Sequence, residues 1–225
     1  MVDNQHWLDR WREDRIGFHE ADVNPYLKIY LPRLGLAPGS RIFVPLCGKA
    51  RDLAWLARQG FEVVGIELAR IAIEAFFAEQ SLQYQRSHSD RFVIYRSGPI
   101  TLLEGDFFDL RAEDLEDCVL AYDRAALIAM EAPDRPDYYR HMLSIFPASG
   151  NMLLITLEYD PAEMRGPPFA AWEEEVRRYY AGAFSIDLLE RNSIIDERPR
   201  WRKVGLTALD EVVYLLHGNQ REATG

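Results

Sequence analysis

The segment from Arg41 to Glu67, RIFVPLCGKARDLAWLARQGFEVVGIE, constrains the fold more strongly than any other part of the chain. Its apolar run Arg41–Pro45 has the length of a buried strand and leads into a turn at Gly48. Residues 52–59 follow with the apolar spacing of an amphipathic helix, and a second apolar run ends at the carboxylate of Glu67. This order predicts a βαβ unit, in which two parallel strands are joined by a right-handed helical crossover.

Apolar runs and helical periods continue to alternate beyond this unit. We predict further strands at 92–95, 100–104, 117–122, 151–158, 185–190 and 211–216, and further helices at 69–80, 138–146 and 172–180. The last two strands follow one another without a good helix between them, so we expect an antiparallel pair at the edge of the sheet. We therefore predict a single α/β domain over 1–225 with a mostly parallel sheet, in which residues 1–38 form a helical, lid-like extension.

The composition indicates the cellular compartment of the protein and the class of partner that it binds. Of the 225 residues 28% are charged, and the formal net charge is −10. Because polynucleotide binding depends on cationic contacts to phosphate, we expect no nucleic-acid partner. The two cysteines, Cys47 and Cys118, are far apart in apolar runs, which indicates a reduced compartment. The N-terminal sequence lacks an apolar stretch and no window reaches about 18 apolar residues, so we predict a cytoplasmic protein without a membrane segment.

The turn at Gly48 and the carboxylate of Glu67 together indicate a nucleoside site. A glycine between a strand and a helix lets the backbone approach a ligand, and the amides at the helix N-terminus attract negative charge. Glu67 lies about 20 residues beyond Gly48, which is the offset of an acidic residue that accepts hydrogen bonds from ribose hydroxyls. Dinucleotide sites carry three glycines around the pyrophosphate, whereas this turn has one, which favours S-adenosylmethionine over a nicotinamide dinucleotide. Each residue also has a purely structural interpretation, as an ordinary turn glycine and as a helix cap.

Two further strand ends and one cysteine are open to more than one interpretation. Asp106 and Phe107 suit an adenine, through a carboxylate acceptor and an aromatic face, but taken alone they fit a helix cap and a core side chain better. Arg124 follows Asp123 at the end of an apolar strand, where the two charges either serve a site or pair with each other. Cys47 has no neighbouring histidine, so we interpret it as a buried residue rather than a nucleophile. No His, Cys or carboxylate spacing predicts a metal site.

Several motifs together resemble the thiopurine S-methyltransferase family. They are WLDRWREDRIGFH near the N-terminus, VPLCGKARDLAWLARQGFEVVGIE, FFAEQ at 76–80, DRAAL at 123–127, and YDP with GPPF between 159 and 169. The similarity extends from about Trp7 to Leu216, and PLCGKA followed by VVGIE is specific because most methyltransferases have a more glycine-rich first loop. The resemblance implies the class I, Rossmann-like methyltransferase fold, with a mostly parallel seven-stranded sheet and an antiparallel edge strand, and S-adenosylmethionine as the cofactor.

The resemblance also implies roles for individual residues. The cofactor-binding residues would be Trp7, Trp11, Leu46, Gly48, Glu67, Asp106, Phe107 and Arg124. Phe18 would pack against the substrate, and Arg198 or Arg200 would lie near it. We hypothesise that Arg124 and Arg198 are the catalytic groups, which favour an anionic sulfur by their charge. We also hypothesise that the segment that contains Trp7, Trp11 and Phe18 acts as a lid over both ligands.

The resemblance implies an S-methyltransferase whose partner is a small-molecule thiol, aromatic or heterocyclic, such as a thiopurine. Bacterial members of the family are also linked to selenium and tellurium compounds, and we expect the protein to be a monomer. The alternatives are methylation of another small molecule, a nicotinamide-dependent oxidoreductase, a nucleic-acid or protein methyltransferase, and a binding module without activity. The acidic charge disfavours polynucleotides, the single turn glycine disfavours the dinucleotide, and the aromatic opening segment disfavours a binding module.

Overall fold

The computed structural model describes residues 4–17 and 19–219. The chain divides into two compact units, with the boundary between Ala121 and Tyr122. The prediction of a single domain over 1–225 stays a prediction.

The first unit contains an α/β sheet built around the βαβ segment predicted from the sequence. Its strands are β1 (Arg41–Val44), β2 (Glu62–Glu67), β3 (Gln85–His88), β4 (Val93–Ser97), β5 (Ile100–Glu104) and the first part of β6 (Cys118–Arg124), in the order β3-β4-β5-β2-β1-β6. Strands β5, β2, β1 and β6 run parallel, and β4 and β3 follow β5 as antiparallel additions. Within the first unit, strands β5, β2 and β1 therefore end at one edge of the sheet, the edge at which α/β folds bind ligands.

Tight packing holds the βαβ unit together. Helix α3 (Arg51–Arg58) connects β1 to β2 and buries Leu53 and Leu56 completely, as its apolar spacing predicts, and α4 (Arg70–Glu79) follows β2. Gly65 lies in the middle of β2, where a Cβ atom would be 2.7 Å from Sγ of Cys47 and 2.8 Å from Cδ2 of Leu102. A residue with a side chain would therefore have to displace the side chains of Cys47 and Leu102.

Two helices and a short 3-10 turn form the N-terminal part of the first unit. They are α1 (Asn4–Arg12), α2 (Pro25–Tyr30) and the turn Leu31–Leu34. The side chain of Asn24 caps α2 by accepting hydrogen bonds from the N–H groups of Tyr26 and Leu27 at 2.9 and 3.3 Å. The N–H of Asn24 donates to Oδ1 of Asp52 at 2.8 Å, which ties this helical segment to the first turn of α3. A short helix, α5 (Ala112–Leu115), precedes β6.

The second unit contains an antiparallel sheet. Its strands are β7 (Asn151–Glu158), β8 (Phe184–Ser193) and β9 (Asp210–Gly218), in the order β7-β9-β8. Its helices are α6 (Arg135–Ile145), α7 (Glu173–Tyr180) and α8 (Pro199–Lys203). The antiparallel pairing of β8 with β9 confirms the edge pair predicted for the last two strands.

Three short elements, α5, β3 and α8, are absent from the sequence prediction. The sequence does not predict strand β3, because the four residues Gln85–His88 are all exposed and show no apolar alternation. Helix α8 lies between β8 and β9, where no helix is predicted, because its five residues bury no side chain and carry no apolar period. The described residues contain nine strands, whereas the apolar runs predict eight and the family resemblance implies seven.

Candidate functional site

The carboxyl ends of three neighbouring parallel strands meet in the first unit. Strand β2 lies between β5 and β1, and Glu67, its last residue, is in register with Glu104 at the end of β5. The N–H of Cys47 donates to the carbonyl of Ile66 at 2.9 Å, and the N–H of Gly105 donates to the carbonyl of Glu67 at 3.1 Å. These backbone bonds hold the turns after β1 and β5 against the end of β2, so the sequence-predicted residues of all three strand ends share one edge.

Glu67 is a buried carboxylate whose oxygens both face backbone amides. Its Oε2 accepts from the N–H of Gly48 at 2.8 Å and its Oε1 accepts from the N–H of Ala69 at 2.7 Å, with 7% of the residue exposed. Burial raises the pKa of Glu67 to about 7, and the N–H groups of Ala69, Gly48 and Leu68 offset only part of this rise. A carboxylate has about four acceptor positions, so these backbone N–H groups leave acceptor capacity for hydroxyl donors.

The turn after β1 has an unusual backbone. Gly48 has φ +52°, and a Cβ atom there would lie 3.2 Å from Cζ2 of Trp11. Leu46 also adopts a left-handed conformation, with φ +44°, which is costly for a residue with a side chain. Strain of this kind persists where the surrounding structure requires it, and here it brings the N–H of Gly48 to the carboxylate of Glu67.

Helix α1 packs on this turn through its second tryptophan. Trp11 is 7% exposed and forms an apolar cluster with Ala69 and Ala72, against which Leu8 and Ile16 also pack. The structure therefore brings Trp11 to Gly48 and to the beginning of α4. Trp7 lies one turn earlier in α1, and the guanidinium of Arg10 is 5.7 Å from its ring centroid.

Asp106 and Phe107 follow β5 at the same edge. Oδ1 of Asp106 accepts from the N–H of Phe108 at 2.9 Å, and so caps the 3-10 turn Phe107–Asp109. Oδ2 of Asp106 accepts from Nδ2 of Asn4 in α1 at 2.5 Å, and Phe107 is 5% exposed. Asp106 thus caps the turn through one oxygen and contacts α1 through the other, and Phe107 is a buried side chain beside it.

The sequence does not predict several side chains that support this edge. Oε2 of Glu104 accepts from the hydroxyl of Tyr95 at 2.6 Å and from Nε of Arg70 at 3.3 Å. Nζ of Lys49, in the turn after β1, pairs with Oε1 of Glu79 at 2.6 Å. Asn4, which contacts Asp106, also belongs to this group. The sequence pattern that could have identified Glu104 is its position at the end of a predicted strand. No pattern of neighbouring residues indicates that Lys49 pairs with Glu79 or that Asn4 contacts Asp106.

The second unit contains the three arginines predicted to serve the site. Arg124 ends β6 and is half-buried, and the next residue, Ala125, has φ +67°. Arg198 is half-buried before α8, and Arg200 is exposed with its guanidinium 4.7 Å from the ring centroid of Trp201. Phe18, the remaining predicted substrate residue, lies outside the described residues.

Asp123, beside Arg124, is fully buried in the second unit. Its Oδ1 accepts from the N–H of Leu127 at 3.1 Å and its Oδ2 accepts from the hydroxyl of Tyr138 at 2.8 Å. Burial raises the pKa of Asp123 to about 6, and these two donors offset part of the rise. The carboxylate of Asp123 therefore attaches the turn after β6, which contains Arg124, to helix α6. The sequence does not predict this contact.

Other candidate chemistries find little support in the described residues. Cys47 is buried, and burial and then the Glu67 carboxylate raise the pKa of its thiol well above the ordinary value, which disfavours a thiolate nucleophile. Within residues 4–17 and 19–219, no group of three or more His, Cys, Asp and Glu side chains is arranged to hold a metal ion. In the same part of the chain no helix has the length and apolar character that a membrane crossing requires.

Comparisons with known sequences all point to one family. The family model described as thiopurine S-methyltransferase matches residues 2–219. A thiopurine S-methyltransferase of Pseudomonas putida is 48% identical over 210 residues, which cover 93% of this chain and 97% of the relative. One from Bordetella petrii is 46% identical over 215 residues, which cover 96% of this chain and 98% of the relative.

Solved structures are similar in fold at low sequence identity. A 1,6-didemethyltoxoflavin-N1-methyltransferase of Burkholderia thailandensis, solved with S-adenosylhomocysteine, has a TM-score of 0.62 at 16% identity and covers 96% of this chain and 87% of its own. A TehB-like SAM-dependent methyltransferase of Corynebacterium glutamicum has a TM-score of 0.54 at 13% identity and covers 96% of this chain and 98% of its own. These neighbours confirm the class I methyltransferase fold.

Proposed function

This chain belongs to the thiopurine S-methyltransferase family and is an S-adenosylmethionine-dependent methyltransferase, and on that premise we propose that it methylates the sulfur of aromatic or heterocyclic thiols. The similarity to relatives named thiopurine S-methyltransferase, over 93% of this chain in the first of them, is the observation that carries the proposal. The nicotinamide-dependent alternative loses its support, because this family uses S-adenosylmethionine.

The residues at the edge formed by β1, β2 and β5 fit the nucleoside part of the cofactor. We propose that the free acceptor positions of Glu67 take the two ribose hydroxyls, and that Gly48 and Leu46 line the neighbouring backbone. Asp106 offers a carboxylate to the amino group of adenine, and Phe107 an apolar face. The Cβ atom that Gly48 lacks would point at Trp11, which fits a close approach of backbone, aromatic ring and ligand.

The remaining cofactor roles rest on the family resemblance alone. Trp7 and Trp11 belong to the opening segment, and Arg124 belongs to the DRAAL motif at 123–127. We propose that Trp7 and Trp11 cover the cofactor and that Arg124 contacts it. In the first unit, the buried position of Trp11 against the turn of Gly48 agrees with such a covering role.

The proposed reaction needs positioning more than it needs a base. Bound S-adenosylmethionine supplies a methyl group that its sulfonium already activates. An aryl thiol is substantially ionised near neutral pH, because the ring delocalises the charge, so the protein has only to favour the thiolate and hold it in line. Alignment of this kind contributes on the order of 7–11 kcal/mol. We assign the charge that favours the thiolate to Arg124 and to Arg198 or Arg200, and the apolar contact to Phe18.

A panel of acceptors tests the proposed function. We expect methyl transfer to thiopurines and substituted thiophenols, measured as S-adenosylhomocysteine formation, with weaker transfer to phenols and anilines of the same shape. Selenols and tellurite belong in the same panel. Binding of S-adenosylhomocysteine without transfer to any of these acceptors would show that the protein methylates a different small molecule.

Arginine variants test the substrate roles. We expect one of Arg198→Ala and Arg200→Ala to raise KM for an anionic thiol about tenfold or more while the Kd of S-adenosylhomocysteine stays unchanged. Arg202→Ala is the matched control, because Arg202 lies in α8 with Arg200 and its guanidinium contacts Oδ1 of Asp196. An equal KM for all three variants and the unmodified protein would remove both arginines from the substrate site.

A further inference from the structure

Helix α1 makes a direct contact with the carboxylate assigned to adenine. Nδ2 of Asn4, the first residue of α1, donates to Oδ2 of Asp106 at 2.5 Å across a sequence separation of 102 residues. The N–H of Phe108 donates to the other oxygen, Oδ1, at 2.9 Å. Each oxygen of Asp106 therefore has its own donor, and the two donors come from different elements of the first unit.

We propose that Asn4 is a positioning residue, which holds the carboxylate of Asp106 in the orientation that accepts the 6-amino group of adenine and so makes the protein selective for an amino-bearing base. The proposal rests on the proposed function, since it takes Asp106 as the adenine acceptor. It goes further by assigning to the N-terminal helix a part in base recognition.

The chemistry of a carboxylate supports this role. An Asp side chain has a broad torsional preference at χ2, so one hydrogen bond, from the N–H of Phe108, leaves its plane free to turn. The second bond, from Asn4, fixes that plane. A carboxylate has about four acceptor positions, so two remain open for an amine after both donors are in place. An acceptor that is already oriented loses less freedom when the ligand binds.

The position of Asn4 in α1 couples base recognition to the helix that carries the tryptophans. Trp11, near the other end of α1, packs on Ala69 and Ala72 and lies against Gly48. Asn4 therefore holds the first turn of α1 at the end of β5, while Trp11 holds its last turn beside the end of β1. A base that engages Asp106 acts on the same carboxylate that holds α1 in place.

Binding measurements with two ligands test the proposal. The probes are S-adenosylhomocysteine and its purine analogue, which carries hydrogen in place of the 6-amino group, and the readout is the Kd from titration calorimetry. We expect the unmodified protein to bind the amino ligand about tenfold more tightly. In Asn4→Ala we expect the Kd of S-adenosylhomocysteine to rise about fivefold and that of the purine analogue to stay within about twofold, so that most of the discrimination is lost.

Two further variants separate positioning from general effects. Gln5→Ala removes the neighbouring carboxamide, whose Nε2 donates to Oδ1 of Asp9 at 2.8 Å on the exposed side of α1, and it should keep the full discrimination. Asp106→Asn should itself reduce the discrimination, and in that background Asn4→Ala should change the ratio no further, because Asn4 acts through Asp106.

The outcomes distinguish the proposal from its rivals. Equal weakening of both ligands in Asn4→Ala would show that Asn4 only anchors the helix, and tighter binding of S-adenosylhomocysteine would show that Asn4 competes with the base, so either result overturns the proposal. Loss of discrimination in a protein that transfers methyl to no thiol would leave the proposal standing while the proposed acceptor fails. Absence of S-adenosylhomocysteine binding in the unmodified protein would overturn both.

Discussion

Glu67 connects the geometry of one side chain to cofactor affinity. The residue is 7% exposed, each of its carboxylate oxygens accepts a backbone N–H, and burial raises its pKa to about 7. Hydrogen bonds from hydroxyl donors to an ionised acceptor are stronger than those to a neutral acid. The affinity for a ribose should therefore follow the ionisation of this one group.

We expect the Kd of S-adenosylhomocysteine to rise as the pH falls from about 8 to about 6, because the ionised fraction of Glu67 falls through its pKa of about 7. Glu67→Gln should bind about tenfold more weakly at the higher pH and show little dependence on pH. Titration calorimetry at several pH values measures both effects. Glu62→Gln, at the exposed beginning of β2, is the control and should keep the unmodified profile. If the Kd of Glu67→Gln depended on pH as it does in the unmodified protein, the pH dependence would not arise from Glu67.

At the scale of elements, the contact between α1 and the turn after β1 depends on the missing side chain of Gly48. Gly48→Ala adds a methyl group 3.2 Å from the Trp11 ring at φ +52°, whereas Gly35→Ala meets open space at φ +60°. Both variants carry the backbone cost of about 1–2 kcal/mol, so Gly35→Ala isolates that cost. We expect Gly48→Ala to lose about 1 kcal/mol more in free energy of unfolding, because Trp11 must move.

The same pair of variants separates stability from binding. Gly48→Ala should also weaken S-adenosylhomocysteine binding, while Gly35→Ala should leave the Kd unchanged. Urea denaturation and calorimetry give the two quantities. Equal losses of stability in both variants, with equal Kd values, would mean that the Trp11–Gly48 contact contributes neither to the free energy of unfolding nor to ligand binding.

A second element-scale contact joins β6 to α6 in the second unit. The hydroxyl of Tyr138 donates to buried Asp123, whereas the hydroxyl of the adjacent Tyr139 is buried without a hydrogen-bond partner among the described residues. We expect Tyr138→Phe to lower the free energy of unfolding by about 1–3 kcal/mol, since the carboxylate then loses a donor. Tyr139→Phe should be neutral or stabilising by about 1 kcal/mol, because it removes an unsatisfied polar group. Chemical denaturation of both variants measures the difference, and the opposite order would contradict these assignments.

At the scale of the whole molecule, two buried carboxylates make stability depend on pH. Burial raises the pKa of Glu67 from 4.5 to about 7 and that of Asp123 from 3.8 to about 6. A carboxyl group whose pKa is higher in the folded protein than in the unfolded chain favours folding while it is protonated. Its contribution is therefore present below the unfolded pKa and is lost as the pH rises through the folded pKa.

We expect the free energy of unfolding of the cofactor-free protein to fall as the pH rises from about 4 to about 7, with about 3 kcal/mol from each group. Glu173 acts in the opposite direction, because its hydrogen bond with Arg177 lowers its pKa below 4.5, so its effect appears at lower pH. Urea denaturation across this range, repeated with Glu67→Gln and Asp123→Asn, measures each contribution. If the free energy of unfolding fell with pH equally steeply in both variants and in the unmodified protein, other groups would be responsible for the pH dependence.

The fold was predictable from the sequence to the extent that its elements carry local patterns. The βαβ unit from Arg41 to Glu67 shows apolar runs of strand length and one helical period, and the structure confirms it. Strand β3 and helix α8 were not predictable, because their residues are exposed and carry no apolar period. Glu67 and Gly48 were correctly expected at one edge, because the carboxyl ends of parallel strands meet there.

The sequence by itself determined the α/β class, the family and, through the family, S-adenosylmethionine as the cofactor, because motifs and periodicities are properties of neighbouring residues. Only the tertiary structure decided which groups contact across the chain and how deeply each is buried. The bond from Asn4 to Asp106 joins residues 102 positions apart, and the bond from Tyr138 to Asp123 joins β6 to α6. The raised pKa values of Glu67 and Asp123 follow from desolvation, which depends on the packing of whole elements and has no local pattern in the sequence.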